Sequence, residues 1–245
     1  VFSVRIGGGK LQYEFYPLGD QAVLIEFGKE ISADVYKGVQ HLVSTLDTMQ
    51  PDWLIEYIPA YTTLTVVYNP IAFLKKHFAS HLPYHIICDE IKTFLSVDMN
   101  VPTVEKRTIE IPVCYGGKFG PDLSFVAESN ELTEEEVIHI HSNGKYLVYM
   151  IGFAPGFPYI GGMPSEIATP RRSSPRLKIP ARSVGIAGSQ TGIYPIETPG
   201  GWQLIGSTPL QLFNIHHHPP TLLQAGDHVR FKPISYEEYR YLEDQ

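Results

Sequence analysis

The first part of the chain alternates between the two-residue period of strands and the 3.6-residue period of helices. Residues 12–27 are rich in β-forming side chains and are interrupted at Pro17 and Gly19, which predicts two short strands. Ser32 then precedes a run of apolar residues spaced as on one helix face, and Pro51 follows it. The pattern predicts a helix capped by Ser32 whose buried face holds Val35, Val39, Leu42, Val43, Leu46 and Met49.

Two β-rich runs and two proline-initiated runs come next. Trp53–Ile58 and Thr63–Tyr68 are separated by four residues, a spacing that predicts a hairpin. Pro70–Leu82 and Pro83–Val97 each begin with a proline, which suits the first turn of a helix, and both are predicted to be helical.

The second half of the chain begins with a run that alternates between apolar and polar residues, and its later apolar runs are short. Alternation at Ile109, Ile111 and Val113 predicts a strand, and Pro121–Ser129 predicts a short helix. Thr133 and Glu136 form a capping box that opens a further helix through His141. Short apolar runs separated by Gly/Pro turns follow and predict a closed or nearly closed β-barrel with two peripheral helices. Examples of these runs are Tyr146–Ile151, Val184–Ala187, Gln203–Ile205 and His228–Lys232.

These patterns predict an α+β fold with an N-terminal ferredoxin-like α/β sandwich followed by a β-barrel domain. The predicted division is a leader at residues 1–15, the sandwich at 16–97, a linker at 98–106, the barrel at 107–234 and a partly helical C-terminal tail at 235–245.

Composition and charge exclude several classes of protein. The formal net charge of −7 and pI of about 5.8 argue against non-specific binding of nucleic acid, which requires a basic surface. The chain has no run of 18 apolar residues and no apolar signal segment, so we expect no membrane association. Cys88 and Cys114 are the only cysteines, too few for a disulfide framework, which favours a cytoplasmic protein.

Residues 151–206 differ from the rest of the chain. They contain ten of the 21 glycines and eight of the 20 prolines, a density that favours shaped loops over long helices or strands. Between His141 and Trp202 there are six Lys or Arg residues against two Glu residues, although the whole chain is acidic. The segment therefore predicts a positive, loop-built functional surface.

Four basic residues of this segment are candidate anion ligands. Prolines stiffen the loop that carries them, and Arg in particular suits carboxylate and phosphoryl groups. Arg176 is the first candidate because it adjoins the proline-flanked strand; the others are Arg171, Arg172 and Lys178. A solvated basic loop is the alternative interpretation.

Aromatic residues surround these cations in the sequence and predict either a small-molecule pocket or core packing of the barrel: Phe153, Phe157, Tyr159, Tyr194 and Trp202.

His141 ends the capped helix and is a candidate general acid or base, with a structural helix-terminal histidine as the alternative. Cys114 is either a nucleophile or a buried inert thiol. His139 and His141 point in different directions on a helix, and His216–His218 lack a carboxylate or Cys at ligand spacing. We therefore expect no metal site.

The sequence lacks several catalytic motifs. Gly9–Lys10 and Gly117–Lys118 are not followed by Ser or Thr, so the chain has no P-loop. The G-x-S-x-G, H-E-x-x-H and C-x-x-C motifs are also absent, which argues against serine hydrolase, zincin and thioredoxin chemistry.

Five longer motifs carry a family resemblance. They are P-L-G-D-Q-A-V, G-F-A-P-G-F-P-Y-I, T-P-R-R-x-x-P-R, S-V-G-I-A-G-x-Q-T-G-I-Y-P and T-P-G-G-W-x-L-I-G, which begin at Pro17, Gly152, Thr169, Ser183 and Thr198. They resemble the allophanate hydrolase subunit 1 / KipI family, which includes the B-type subunit of ATP-dependent 5-oxoprolinase. The resemblance runs from about Tyr16 to about Pro233.

The resemblance implies a cyclophilin-like barrel and an enzyme subunit that is inactive alone. Together with the C-type subunit (allophanate hydrolase subunit 2 type) and the A-type subunit, such a chain takes part in opening 5-oxoproline to L-glutamate with ATP. The alternative within the same family is a KipI-like inhibitor of a sensor histidine kinase.

The residues singled out above, together with positions of these motifs, give the expected site. His141 and Arg176 are the expected catalytic residues. The expected substrate or anion ligands are Phe153, Phe157, Arg171, Lys178, Ser183, Gln190, Thr191, Tyr194, Gly200, Gly201 and Trp202. One departure is Arg182, where the family usually has Gly, so that this side chain either obstructs a ligand or adds a cation.

Overall fold

The computed structural model describes residues 2–6, 9–30, 32–72, 82–96 and 107–245. The chain divides into two units, Val1–Val104 and Glu105–Gln245. None of the helices in the described ranges is both long enough and apolar enough to cross a membrane.

The first unit is built on a five-stranded antiparallel sheet with the strand order β1-β2-β3-β5-β4. Its strands are β1 (Phe2–Ile6), β2 (Gly9–Leu18), β3 (Ala22–Glu26), β4 (Leu54–Pro59) and β5 (Thr63–Tyr68), and its helices are α1 (Ala33–Met49) and α2 (Pro83–Ser96).

Local sequence signals explain most of this unit. The Ser32 side chain accepts a hydrogen bond from the Val35 backbone N–H at 3.2 Å, which confirms the predicted cap of α1. Val39, Leu42 and Leu46 are fully buried on the predicted face of this helix, but Met49, at its last position, is exposed, so the prediction for Met49 was wrong. The helix predicted over Pro70–Leu82 falls largely outside the described residues, and the ferredoxin-like arrangement stays a prediction.

The segment expected to precede the first domain belongs to its sheet. Phe2–Ile6 pairs with Gly9–Leu18 in antiparallel register, and Val4, Leu11 and Phe15 pack against the core of the unit. These apolar side chains alternate along the strands, so pairing buries one face of the segment.

The second unit contains a closed seven-stranded barrel, as the sequence predicted, with the strand order β10-β11-β8-β7-β14-β6-β13. Neighbouring barrel strands are antiparallel except β14 and β6, which are parallel. The strands are β6 (Thr108–Tyr115), β7 (Tyr146–Ile151), β8 (Pro158–Gly161), β10 (Ser183–Ala187), β11 (Gln190–Ile193), β13 (Gln203–Ser207) and β14 (His228–Pro233).

Three helices accompany the barrel: α3 (Leu123–Ser129), α4 (Glu134–Asn143) and α5 (Tyr236–Glu243). The capping box of Thr133 and Glu136 is present at the start of α4, as predicted. Ser235 and Glu238 form a second capping box at the start of α5.

A two-stranded ribbon outside the barrel positions the candidate site. It pairs β9 (Arg176–Ile179) with β12 (Thr198–Gly200) in antiparallel register. The ribbon contributes Ile179 to a small hydrophobic core that is separate from the core inside the barrel. This small core contains Phe157, Ile179, Ala187, Tyr194, Trp202 and Leu204.

Candidate functional site

The candidate site is a pocket of about 320 Å³ in the second unit. The loop after β7, the loop before β9 and the strand β12 form its walls. Its lining consists of rings, prolines, glycines and one cation: Phe153, Phe157, Tyr159, Arg171, Pro175, Tyr194, Pro199, Gly200, Gly201 and Trp202.

Phe157 is at the centre of the aromatic wall and is 2% exposed. Its ring meets those of Phe153, Tyr159, Tyr194 and Trp202 edge to face, with centroid separations of 5.4, 5.2, 5.4 and 5.6 Å. Edge-to-face contact is a favourable geometry for aromatic pairs, and each ring restricts its neighbour. The wall is therefore held together by contacts among its own rings.

Gly200 allows the ribbon to approach this wall. A Cβ atom at Gly200 would lie 2.5 Å from the Tyr194 hydroxyl oxygen and 2.8 Å from Cδ1 of Ile179. Any other residue at this position would displace the tyrosine or the strand.

Arg171 is the cation of the pocket lining, and the two arginines near it in sequence are held by a carboxylate. Asp122 Oδ1 accepts from Arg172 Nη1 at 3.0 Å and from Arg176 Nη2 at 2.8 Å, while Oδ2 accepts from the Leu204 backbone N–H at 2.7 Å. Asp122 is 5% exposed. This single carboxylate thus ties the Arg171 loop and β9 to β13.

The cluster of Asp122, Arg172 and Arg176 does not satisfy all of the hydrogen-bonding groups around it. Arg172 Nε and Arg176 Nη1 are buried and have no hydrogen-bond partner among the described residues, and the same holds for Gln203 Oε1. Two guanidinium groups share one carboxylate, so the cluster retains a net positive charge next to the pocket. Such a charge favours an anionic ligand.

Tyr194 contributes a neutral hydroxyl. Burial raises the pKa of Tyr194 to about 12, although the Trp202 backbone hydrogen bond and the charges of Arg171 and Arg176 act in the opposite direction. The phenol therefore stays protonated at neutral pH and is able to donate a hydrogen bond to a ligand.

The structure places His141, an expected catalytic residue, in the barrel interior and not in the pocket lining. The side chain is fully buried, and burial lowers the pKa of His141 to about 3. Thr191 Oγ1 donates to the Gly185 carbonyl at 3.0 Å, so the His141 Nε2–H donates to Thr191 at 2.9 Å and Nδ1 accepts from the Tyr115 hydroxyl at 2.7 Å. The imidazole is neutral and each of its nitrogens takes part in a hydrogen bond within the chain. This arrangement favours a structural role for His141 over acid–base catalysis.

Other predicted residues also lie outside the lining. Lys178 is exposed and 3.1 Å from Glu197. The Ser183 hydroxyl donates to the Pro180 carbonyl at 2.8 Å, Thr191 belongs to the His141 network, and Gln190 begins β11. Arg176 adjoins the site through Asp122, so its geometry supports a positioning role.

The pocket brings together eight of the predicted residues: Phe153, Phe157, Tyr159, Arg171, Tyr194, Gly200, Gly201 and Trp202. Sequence reasoning does not find Asp122, because the prediction places it in the first turn of the helix Pro121–Ser129, where an acidic residue is favourable without any further role. Its side chain makes no capping hydrogen bond and accepts from the two arginines instead.

Arg182 does not line the pocket either. Its backbone has φ 71°, and its Nη1 lies 3.2 Å from Glu243 Oε1 on α5.

Burial raises the pKa of the Cys114 thiol, which keeps it protonated and favours the inert alternative. The described residues contain no group of three or more His, Cys, Asp or Glu residues that is able to hold a metal ion.

Comparisons with known proteins agree with the sequence motifs. The family model "Carboxyltransferase domain, subdomain C and D" matches residues 13–223. The chain is 50% identical over 238 residues to the B subunit of 5-oxoprolinase from Bacillus subtilis (strain 168), covering 96% of this chain and 98% of the relative. It is 41% identical over 220 residues to the B subunit of 5-oxoprolinase from Escherichia coli O157:H7, covering 89% and 94% respectively.

A solved structure shows the same fold in a longer chain. The crystal structure of TTHA0988 matches with a TM-score of 0.73 and 32% identity, covering 88% of this chain but 40% of that one. The resemblance inferred from the sequence motifs is thereby confirmed. The chain belongs to the family of carboxyltransferase domains, subdomains C and D.

Proposed function

We propose that this chain is the B-type subunit of an ATP-dependent 5-oxoprolinase, a complex that opens the lactam of 5-oxoproline to give L-glutamate. The observation that carries the proposal is the 50% identity, over nearly the full length of both chains, to a protein named as the B subunit of 5-oxoprolinase. The pocket supports it, because one cation and several aromatic rings suit a small carboxylate that carries a ring.

In this proposal the lining residues bind and orient the substrate. Arg171 pairs with a carboxylate or with a developing oxyanion, and the Tyr194 hydroxyl donates a hydrogen bond. The rings around Phe157 enclose the apolar part of the substrate. Arg172 and Arg176 share the single negative charge of Asp122, and the net positive charge that remains favours anionic intermediates that form when the lactam oxygen is phosphorylated.

The proposal assigns the remaining groups to the partner subunits. The ionisable side chains in the described lining are Arg171, Tyr159 and Tyr194, which suit binding better than proton abstraction at neutral pH. The C-type subunit completes the site and the A-type subunit takes part in the ATP-dependent step, so this chain is inactive alone. A related structure in which this fold makes up 40% of a longer chain supports a close association with a second component.

The test is reconstitution. The chain is combined with the A-type and C-type subunits, and release of ADP is measured with and without 5-oxoproline. We expect substrate-dependent release only when all three subunits are present. Arg171→Ala should raise KM about tenfold or more, because a charge-assisted hydrogen bond is lost.

The matched control is Arg230→Ala, which removes an exposed arginine from β14 and should change KM less than about twofold. Absence of ADP release from the complete set of subunits, together with direct binding of the chain to a sensor histidine kinase, would instead support the inhibitor alternative.

A further inference from the structure

Phe153 is held in a backbone conformation that a bulky residue rarely adopts. Its φ is 67°, in the left-handed region that favours glycine. Hydrogen bonds of the surrounding turn enforce this conformation. The Gly152 N–H donates to the Phe157 carbonyl at 3.0 Å, the Ala154 N–H to the Gly152 carbonyl at 2.8 Å, and the Phe157 N–H to the Ala154 carbonyl at 2.9 Å.

Burial does not explain the choice of phenylalanine here. Phe153 is 65% exposed, and its ring meets that of Phe157 at 5.4 Å. The same turn contains Gly156 at φ 78°, where the sequence uses the residue that this backbone favours. Packing within this chain therefore does not account for a phenylalanine ring at position 153, and a contact with a ligand is the alternative.

Arg182 provides a comparison within the same unit. It also has a positive φ, 71°, but its guanidinium lies 3.2 Å from Glu243 Oε1. The side chain of Arg182 thus has an ionic partner in its own chain, on α5. Phe153 instead lies in the lining of the pocket together with Arg171.

We infer that Phe153 is a specificity-determining residue whose exposed ring covers the flat face of a small ring-bearing carboxylate while Arg171 binds the charge. The inference rests on the proposed function for the nature of the pocket and deepens it by naming the part of the ligand that is recognised. A strained backbone is retained at ligand-binding positions when it presents a side chain to the ligand. A cavity of about 320 Å³ suits a ligand of this size.

The experiment measures stability and selectivity in the same variants. Trp202 lines the pocket and Trp53, the other tryptophan of the chain, is in the first unit. A Trp53→Phe background therefore makes the fluorescence of Trp202 a reporter of the pocket. The full chain, alone and with the C-type subunit, is titrated with 5-oxoproline, with 2-furoate as a second flat-ring carboxylate, and with succinate as an acyclic one.

Phe153→Gly should weaken binding of both ring carboxylates about fivefold and change succinate binding less than about twofold. The Tm of Phe153→Gly should stay within about 3 °C of the parent, because glycine relieves the backbone while the lost ring was mostly exposed. Phe153→Ala should melt below Phe153→Gly, because alanine keeps the strain. Arg182→Gly, the matched control, should leave all three affinities unchanged.

The outcomes separate this inference from the proposed function. If 5-oxoproline binds the parent and Phe153→Gly equally, the inference fails and the proposed function stands. If 2-furoate binds with the expected dependence on Phe153 but 5-oxoproline does not bind, the proposed function fails and the inference stands. An equal loss for ring and acyclic ligands, or binding of no ring carboxylate, would each overturn the inference.

Discussion

At the scale of single residues, burial lowers the pKa of His141 to about 3, and the surroundings of its ring explain why. It is surrounded by Tyr115 and Thr191 at its ring nitrogens, and its backbone carbonyl accepts from the Tyr146 hydroxyl at 2.7 Å. Phe231 covers the ring at a centroid distance of 4.4 Å. Protonation would add a charge in this closed environment and break the hydrogen bond that Nδ1 accepts.

We therefore predict that His141 makes stability depend on pH between the two pKa values. The pKa is about 3 in the folded chain, against an ordinary value of 6.5. The unfolded chain thus binds the extra proton first, and the free energy of unfolding falls as the pH drops below 6.5. The expected slope is about 1.4 kcal/mol per pH unit from this group.

The measurement is urea unfolding at pH 7, 6, 5 and 4. His141→Gln should flatten the dependence in this window even if it lowers stability at every pH. His139→Gln, a change at an exposed position on the same helix, should leave the slope as in the parent chain. An identical slope for His141→Gln and the parent would show that other groups control acid unfolding.

At the scale of elements, Asp122 connects pieces that are far apart in the sequence. It lies between Gly120 and α3, and its carboxylate holds Arg176 on β9 and the Leu204 N–H on β13. Removing one partner from a buried ionic cluster leaves the remaining charges uncompensated.

We predict that Asp122→Asn lowers the free energy of unfolding by roughly 3 kcal/mol, because Arg172 and Arg176 lose the negative charge that they share. Partial exposure of both arginines keeps the loss from being larger. Denaturant unfolding measures it. Asp34→Asn removes an exposed carboxylate, paired with Lys37 at 2.9 Å, and should cost less than about 0.5 kcal/mol. Similar losses for the two variants would argue against the tether.

The helices and strands also show which parts of the fold could be predicted from the sequence and which could not. The strand Tyr146–Ile151 and the caps at Ser32 and Thr133 were predicted correctly, because their signals are local. The short strands β8, β11 and β12 were missed, since they are rich in glycine or proline and are defined by pairing with distant partners. The clustering of rings around basic residues left open whether they line a pocket or pack in a core, and Phe157, Tyr194 and Trp202 do both. The contact between Asp122 and Arg176, 54 residues apart, leaves no local pattern.

At the scale of the whole molecule, each unit has its own hydrophobic core. The core of the first unit is formed by α1, α2 and the sheet, and the barrel unit has an interior cluster and the smaller cluster around Phe157. A closed barrel with its own core satisfies the requirements for independent folding.

We predict that a fragment Glu105–Gln245 folds alone and unfolds in a single cooperative transition. Its near-ultraviolet circular dichroism should show fixed aromatic side chains, because the rings around Phe157 all belong to this unit. A fragment that lacks residues 228–245 should not fold, since β14 is needed to close the barrel. A broad, non-cooperative transition of the longer fragment would contradict the prediction.

The parallel pairing of β14 with β6 has a consequence for biosynthesis. Val229 lies opposite Ile109 and Phe231 opposite Ile111, so the final closure joins segments separated by about 120 residues. During translation, β6 is synthesised long before β14, so β6 lacks its parallel partner strand until β14 has been translated. During that interval we expect the nascent chain to expose the unpaired edge of a strand that contains isoleucine and valine, which is the kind of surface that chaperones protect.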